Sequence, residues 1–319
     1  MDRLAKLGYV LFAIAMIALG VETLALAFVR GTDKLGHGYA AIPVLPFLPP
    51  MPWLAYIVSA IWIVCGIGLL RAESAKNCAT ILGAMLLVFA LFLDGPRAAA
   101  HFASISLRTV VFEVVALASL AWMVTGSSSA PALFTVGRYL FALSLIVFGV
   151  DHYLALAPIA ALIPSWIPWH VFWVAFFGAG FIAAGIAIAI GYLARPAFAL
   201  IGLTYAIWVV TLHLPRTLGF YGIPGAVHDP GEWSSLFIAV ALWGGSWALV
   251  GVTRGGAGAL ESKGYSKWLR QGGPTRGWGE QRLPRSAFTS LWRLRSRRWP
   301  GPSRAPHASR PSASRISLG

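Results

Sequence analysis

The sequence predicts an all-α, polytopic membrane protein, with eight transmembrane helices arranged as two parallel-repeat four-helix bundles. Three observations predict it: a shortage of charge, a series of apolar runs of spanning length, and an internal repeat. Of 319 residues, 58% are hydrophobic and 11% charged, and the mean hydropathy is +0.72. A soluble domain carries about 25% charged residues. A surface this poor in charge needs lipid to cover it.

A hydrocarbon core about 30 Å thick takes roughly 20 apolar residues per helix. Eight segments fit: 7–29, 53–70, 76–93, 107–125, 135–157, 169–191, 195–213 and 233–252. Gly, Pro, Arg or Lys clusters separate them. Small residues such as Gly178, Gly180 and Gly185 allow close helix approach. The first segment has the look of a secretory signal, with Arg3 and Lys6 ahead of the apolar run and Ala25-Leu26-Ala27 after it. Its recurrence inside the chain favours a retained helix.

Residues 8–22 align with 137–151 at seven identities in fifteen positions, with Glu22 opposite Asp151. Residues 60–97 align with 179–216 without a gap and share nine identities. That block matches Gly66 with Gly185, Lys76 with Arg195, Gly83 with Gly202 and Pro96-Arg97 with Pro215-Arg216. Such a period is sought before any other assignment. The domains expected are a first repeat at 1–126, a second at 127–252 and a tail at 253–319. Four spans per unit make the repeat parallel, about an axis along the membrane normal.

Residues 253–319 hold 14 Lys/Arg against Glu261 and Glu280, a net of +12. The rest of the chain has a net charge of +2. A basic tail stays on the cytoplasmic side, which puts both termini there. Its Gly, Ser, Pro and Arg content builds no core. Phe288, Leu291 and Trp292 beside Arg293, Arg295, Arg297 and Arg298 suit contact with an anionic leaflet. No nucleic-acid partner is expected, since no recognised nucleic-acid fold is present. Cys65 and Cys78 form no CxxC pair and read as small core residues.

With this topology the ionisable groups gather in one outer layer. Glu22, Asp151 and His152 lie in the outer third of spans one and five. Asp94 and His213 end spans three and seven, Glu113 lies in the first turns of span four, and His170 opens span six. Acids within a span cost about 2.5–3.5 kcal/mol at a helix centre and face a partner or a wet cavity. Expected pairings are Glu22 or Glu113 with Arg108 and Arg97, and Asp151 with Arg216 or His213. The catalytic candidates are Glu22, Asp151, His152 and His213. The candidates for holding a cofactor are His170, Trp166 and Arg216. Trp166 and Trp169 in the uncharged segment 158–169, read as a loop, suit the outer interface. His152, His170 and His213 are residue types that serve a quinone headgroup, a haem or a metal, but they lack metal-ligand spacing. No metal is expected.

The second repeat resembles the DoxX-like family of four-helix membrane proteins, which includes DoxD-like members. The likeness rests on Arg138, Gly149 with Asp151-His152, Leu162-Ile163-Pro164-Ser165-Trp166-Ile167-Pro168, Gly180, Gly185, Arg195, His213 and Gly244-Gly245. The first repeat fits more loosely, with Pro43, Pro46 and Pro49 in a longer loop and Asp94 in place of His213. The resemblance implies a helical bundle in the bacterial cytoplasmic membrane. It also implies an association with redox processes, including thiosulfate oxidation with quinone as acceptor, or with oxidative-stress complexes.

Three function classes follow. A redox-associated subunit would receive a quinone at the outer layer, with Asp151, His152 and His213 exchanging protons. No resident cofactor is evident in the sequence, so such a subunit needs an electron-transfer partner. A small-solute carrier would place its site between the repeats. A scaffold would hold other membrane proteins together.

Overall fold

The computed structural model describes residues 3–30, 52–125, 130–223 and 225–252. These lie in one compact unit, Met1–Ser266, while Lys267–Gly319 falls outside the described residues. The expectations for the proline-rich loop and the basic tail fall outside them as well. The described residues form eleven α-helices and no strand: α1 Arg3–Arg30, α2 Pro52–Leu69, α3 Ala75–Phe89, α4 Gly95–Ala100, α5 Ile105–Met123, α6 Pro131–Leu154, α7 Leu156–Ala160, α8 His170–Ile190, α9 Ala194–Trp208, α10 Leu214–Thr217 and α11 Pro230–Val250. Segment 158–169, expected as a loop, begins inside α7.

Seven stretches are long and apolar enough to cross a bilayer. They are Arg3–Phe28, Ala75–Ala100, Ile105–Met123, Pro131–Leu154, His170–Ile190, Ala194–Thr217 and Pro230–Val250. The chain is therefore built as a multi-pass membrane protein. Trp53–Leu69 is apolar but shorter.

Two of these stretches change pitch at one place each. α3 passes through a π-helical turn, Ala90–Asp94, into α4, and α9 passes through Val209–His213 into α10. Each turn precedes a proline, Pro96 or Pro215. A helical proline lacks an N–H and crowds the carbonyl four residues back, and a wider turn relieves that crowding. In the second case the carbonyl four residues back belongs to Thr211, and it accepts the Tyr221 hydroxyl.

Helix packing closes two rings that share α5 and α11. One runs α11, α1, α2, α3, α5; the other runs α5, α6, α8, α9, α11. Two bundles standing apart would pack α1 mainly on α5 and α6 mainly on α11. Instead α1 packs on α2 and α11, and α6 on α8 and α5. The two units expected side by side are thus interlocked around one continuous core, which includes Phe12, Trp62, Leu82, Leu117, Phe141, Phe198 and Leu249. Small residues make the seam possible. A Cβ on Gly8 would come 2.5 Å from the Ala248 nitrogen, and one on Gly244 2.5 Å from the Phe12 nitrogen.

Several contacts recur onto positions that the sequence alignment pairs, although the two indoles among them lie outside the aligned blocks. Trp122 donates its indole N–H to the Thr80 carbonyl at 3.3 Å, and Trp247 donates to Ala199 at 3.2 Å. Each indole lies over a glycine, Gly83 in one case and Gly202 in the other. Gly66 lies against Ala13 and Ile17 as Gly185 lies against Ala142 and Ile146. The α1–α11 seam is antiparallel, and Gly251 touches Ala5. The two ends of the described chain therefore lie at the same end of the bundle. Cys65 and Cys78 are buried free thiols within the core, in contact across α2 and α3.

Candidate functional site

The end of the bundle away from Ala5 and Gly251 carries the polar groups. α1 reaches it with Glu22, α5 begins there with Arg108, and α6 ends there with Asp151 and His152. The α9–α10 junction brings His213 and Arg216, and α11 starts there with Glu232 and Ser234. α11 opens with Asp229 as its cap, accepting from the Gly231 N–H at 2.8 Å, and with Pro230 at its first position. That start places Glu232 in the first turn, where a carboxylate suits the helix dipole.

The pairings differ from those expected. Asp151 takes Arg108 as its partner, not Arg216 or His213: Arg108 Nε donates to Asp151 Oδ1 at 2.9 Å and Nη2 donates to the same oxygen. Arg108 Nη1 also donates to the Phe102 carbonyl at 2.7 Å. Arg216 instead forks onto Glu232, with Nε 3.0 Å from Oε2 and Nη2 on Oε1. Among the described residues Glu22 meets no cation; its Oε1 accepts the Ser234 hydroxyl at 2.6 Å. Arg97 stands exposed. Helix neighbourhood decides these pairs, because α6 packs on α5 and α1 on α11.

Glu22 and Asp151 are aligned in the sequence, and each is bound by the first turns of the neighbouring last helix, α11 for Glu22 and α5 for Asp151. The two contacts differ in strength. The Arg108–Asp151 side chains are 12% and 4% exposed, and charge-assisted hydrogen bonds are roughly twice as strong as neutral ones.

Next to this ion pair, His152 is buried. Its Nδ1–H donates to the Phe148 carbonyl at 2.7 Å. A carbonyl only accepts, so Nδ1 carries a hydrogen, and in the neutral ring Nε2 then presents a lone pair. The ring stacks on Trp208 at 5.5 Å and tilts against Phe181 at 5.3 Å. Asp151 Oδ2 and His152 Nε2 are both buried without a hydrogen-bond partner among the described residues. Two adjacent orphan acceptors are uncommon in a folded interior, where buried polar atoms are paired.

His213 lies on the π-helical turn, within electrostatic reach of Glu232 and Arg216. Its carbonyl accepts the Thr217 hydroxyl at 2.7 Å. Trp166 lies on the segment between α7 and α8, and His170 is the first residue of α8. Trp166 is exposed, and His170 lines a shallow hollow with Trp169, Val171 and Phe172. Among the described residues, no hydrogen bond or ring contact joins these two to Asp151, His152 or His213. Trp169 caps α8 with φ 61°, a left-handed conformation rare for a bulky side chain. Among the described residues no group of three His, Cys, Asp or Glu is placed to hold a metal ion.

Glu232, Ser234 and Tyr205 did not stand out in the sequence. Glu232 falls one residue ahead of the apolar run, but the Asp229-Pro230-Gly231-Glu232 helix start could have found it. Ser234 and Tyr205 carried no signal.

The chain matches no protein-family model, no curated protein and no solved structure.

Proposed function

We propose that this chain is a DoxX-like, redox-associated subunit of the bacterial cytoplasmic membrane, with a quinone headgroup meeting Asp151 and His152 at its outer end. The observation that carries this reading is the pair of buried, unpartnered acceptors, Asp151 Oδ2 and His152 Nε2. Converting a quinone to a quinol takes two electrons and two protons, and a proton-exchanging group must lie within hydrogen-bond reach of the quinone oxygens. Arg108 fixes the carboxylate and the Phe148 carbonyl fixes the imidazole tautomer. An electron-transfer partner supplies the electrons.

The reading has eight traversals and both termini in the cytoplasm. α2 runs antiparallel along α1, from the Tyr9 hydroxyl on the Leu69 carbonyl at 2.7 Å to the Phe28–Tyr56 ring pair at 5.3 Å. A helix lying along that length of α1 crosses wherever α1 crosses. The recurring indole, glycine and π-turn contacts support a duplication of one four-helix unit. The net charge of the tail supports the cytoplasmic placement.

Purification in mild detergent followed by mass spectrometry of co-purifying quinones tests the site. Native protein should retain quinone, and Asp151→Asn and His152→Ala should lose it while eluting as native protein does. Equal quinone content in all three would sink the reading. A scaffold is the second reading, favoured by Arg108–Asp151 and Glu22–Ser234, which tie the two halves together. Co-purification of a protein partner that is indifferent to both variants would support it.

A further inference from the structure

We propose that the end of the bundle carrying Ala5 and Gly251 seats the phosphate of an anionic phospholipid on the Arg138 guanidinium, beside the turn between α8 and α9. Charge separates the two ends of the molecule. Among the described residues this end holds six cations, Arg3, Lys6, Arg71, Lys76, Arg138 and Arg195, against the single carboxylate of Glu73. The opposite end holds six acids against four arginines. An end so poor in acids complements an anionic membrane surface.

Five of the six cations are exposed, and Arg138 alone is half-buried. Its Cζ lies 4.8 Å from the Tyr139 ring centroid, and Nη2 donates to the Tyr139 hydroxyl at 3.0 Å. Nε is buried without a hydrogen-bond partner among the described residues, and no carboxylate among them pairs with the guanidinium. A charge partly withdrawn from water without a counter-ion is costly, and an anion against its outer nitrogens offsets that cost. The first half shows that the fold itself does not need the charge. Tyr9 aligns with Arg138, and its hydroxyl donates to the Leu69 carbonyl at the end of α2. The matching carbonyl at the end of α8, that of Ile188, already accepts the Gly191 N–H at 3.2 Å. Arg138 Nη1 lies over that helix end, 3.3 Å from where a Cβ on Gly191 would stand.

The surroundings fit a lipid rather than a free ion. Tyr139 and Tyr192 are exposed, as amphipathic rings at headgroup depth are. Ile190 and Leu193, on either side of Gly191, expose apolar surface for acyl chains, and Arg195 follows in the first turn of α9. A guanidinium grips phosphate oxygens through two parallel N–H bonds. An anionic headgroup leaves that phosphate charge uncompensated, whereas a zwitterionic one carries its own cation. The site uses no group at the polar end, so it depends neither on the quinone reading nor on which way the chain faces.

The test is native mass spectrometry of the full-length protein in detergent micelles, titrated with phosphatidylglycerol or with phosphatidylcholine of the same acyl chains. Native protein should bind the first phosphatidylglycerol more tightly than phosphatidylcholine, and excess inorganic phosphate should not displace it. Arg138→Gln should weaken that binding about tenfold, while Arg97→Gln, at the opposite end, should leave it unchanged. No preference for the anionic lipid, displacement by inorganic phosphate, native affinity in Arg138→Gln, or an equal loss in Arg97→Gln would each overturn the proposal. If Arg138→Gln does not fold, Arg138→Lys decides. It keeps the charge and loses the fork, so its affinity should fall about threefold, and an affinity equal to native would overturn the proposal.

Discussion

The two halves of the molecule share a plan and differ in chemistry. In the first, Glu22 rests on a serine hydroxyl, and Thr23 occupies the position that aligns with His152. In the second, Asp151 is locked to Arg108, and His152 sits in a box of Phe181 and Trp208. The helix framework repeats almost contact for contact, down to the indole over the glycine and the π-helical turn before Pro-Arg. The lesson is that the helix packing recurs between the halves while the chemistry of the polar end does not. The second half carries the orphan acceptors, and the first carries a simple hydrogen bond.

The comparison breaks most sharply at the two acids. Arg108→Ala should destabilise the protein by about 3–5 kcal/mol, because it leaves the Asp151 charge buried without its partner. Thermal unfolding in detergent measures this. A loss as small as that of an exposed lysine would show the pair to be dispensable. The seam comes next. Gly8→Leu or Gly244→Leu drives a side chain into backbone only 2.5 Å from the added Cβ, and should cost about 1–3 kcal/mol by the same assay. Glu22→Ala removes one hydrogen bond and should cost about 0.5–1.5 kcal/mol, well below Arg108→Ala. The smallest effect sharpens the shared plan. Trp122→Phe and Trp247→Phe should each cost roughly 0.6 kcal/mol, the size of a typical hydrogen bond between membrane helices. Unequal losses would mean that the two indoles do different work.

The sequence revealed the long helices, because each is a mostly apolar run, and hydrocarbon demands that length; the short α4, α7 and α10 carried no such signal. The expected third and seventh spans stopped just ahead of Pro96 and Pro215, whereas the chain stays helical through a π-helical turn into α4 and α10. The matched glycines Gly66 and Gly185 were also legible, since a missing side chain at paired positions signals a close approach. Partners at the polar end were not. Which carboxylate meets Arg108 depends on which helices are neighbours, and apolar surfaces that repeat between halves do not encode that order. Glu22 was assigned a cation because charge alone was counted; Ser234, its actual partner, is 212 residues away and carries none.

The central claim is an even number of crossings, with both ends of the chain on one face. Single cysteines in a Cys65→Ser, Cys78→Ser background, probed with a membrane-impermeant maleimide on intact cells, test it most directly. Ala103→Cys and Gly222→Cys, on turns at the polar end, should label from outside. Ser74→Cys and a cysteine added after Gly319 should label only after the membrane is opened. Labelling of Ser74→Cys and the carboxyl-terminal cysteine from opposite sides would contradict the account.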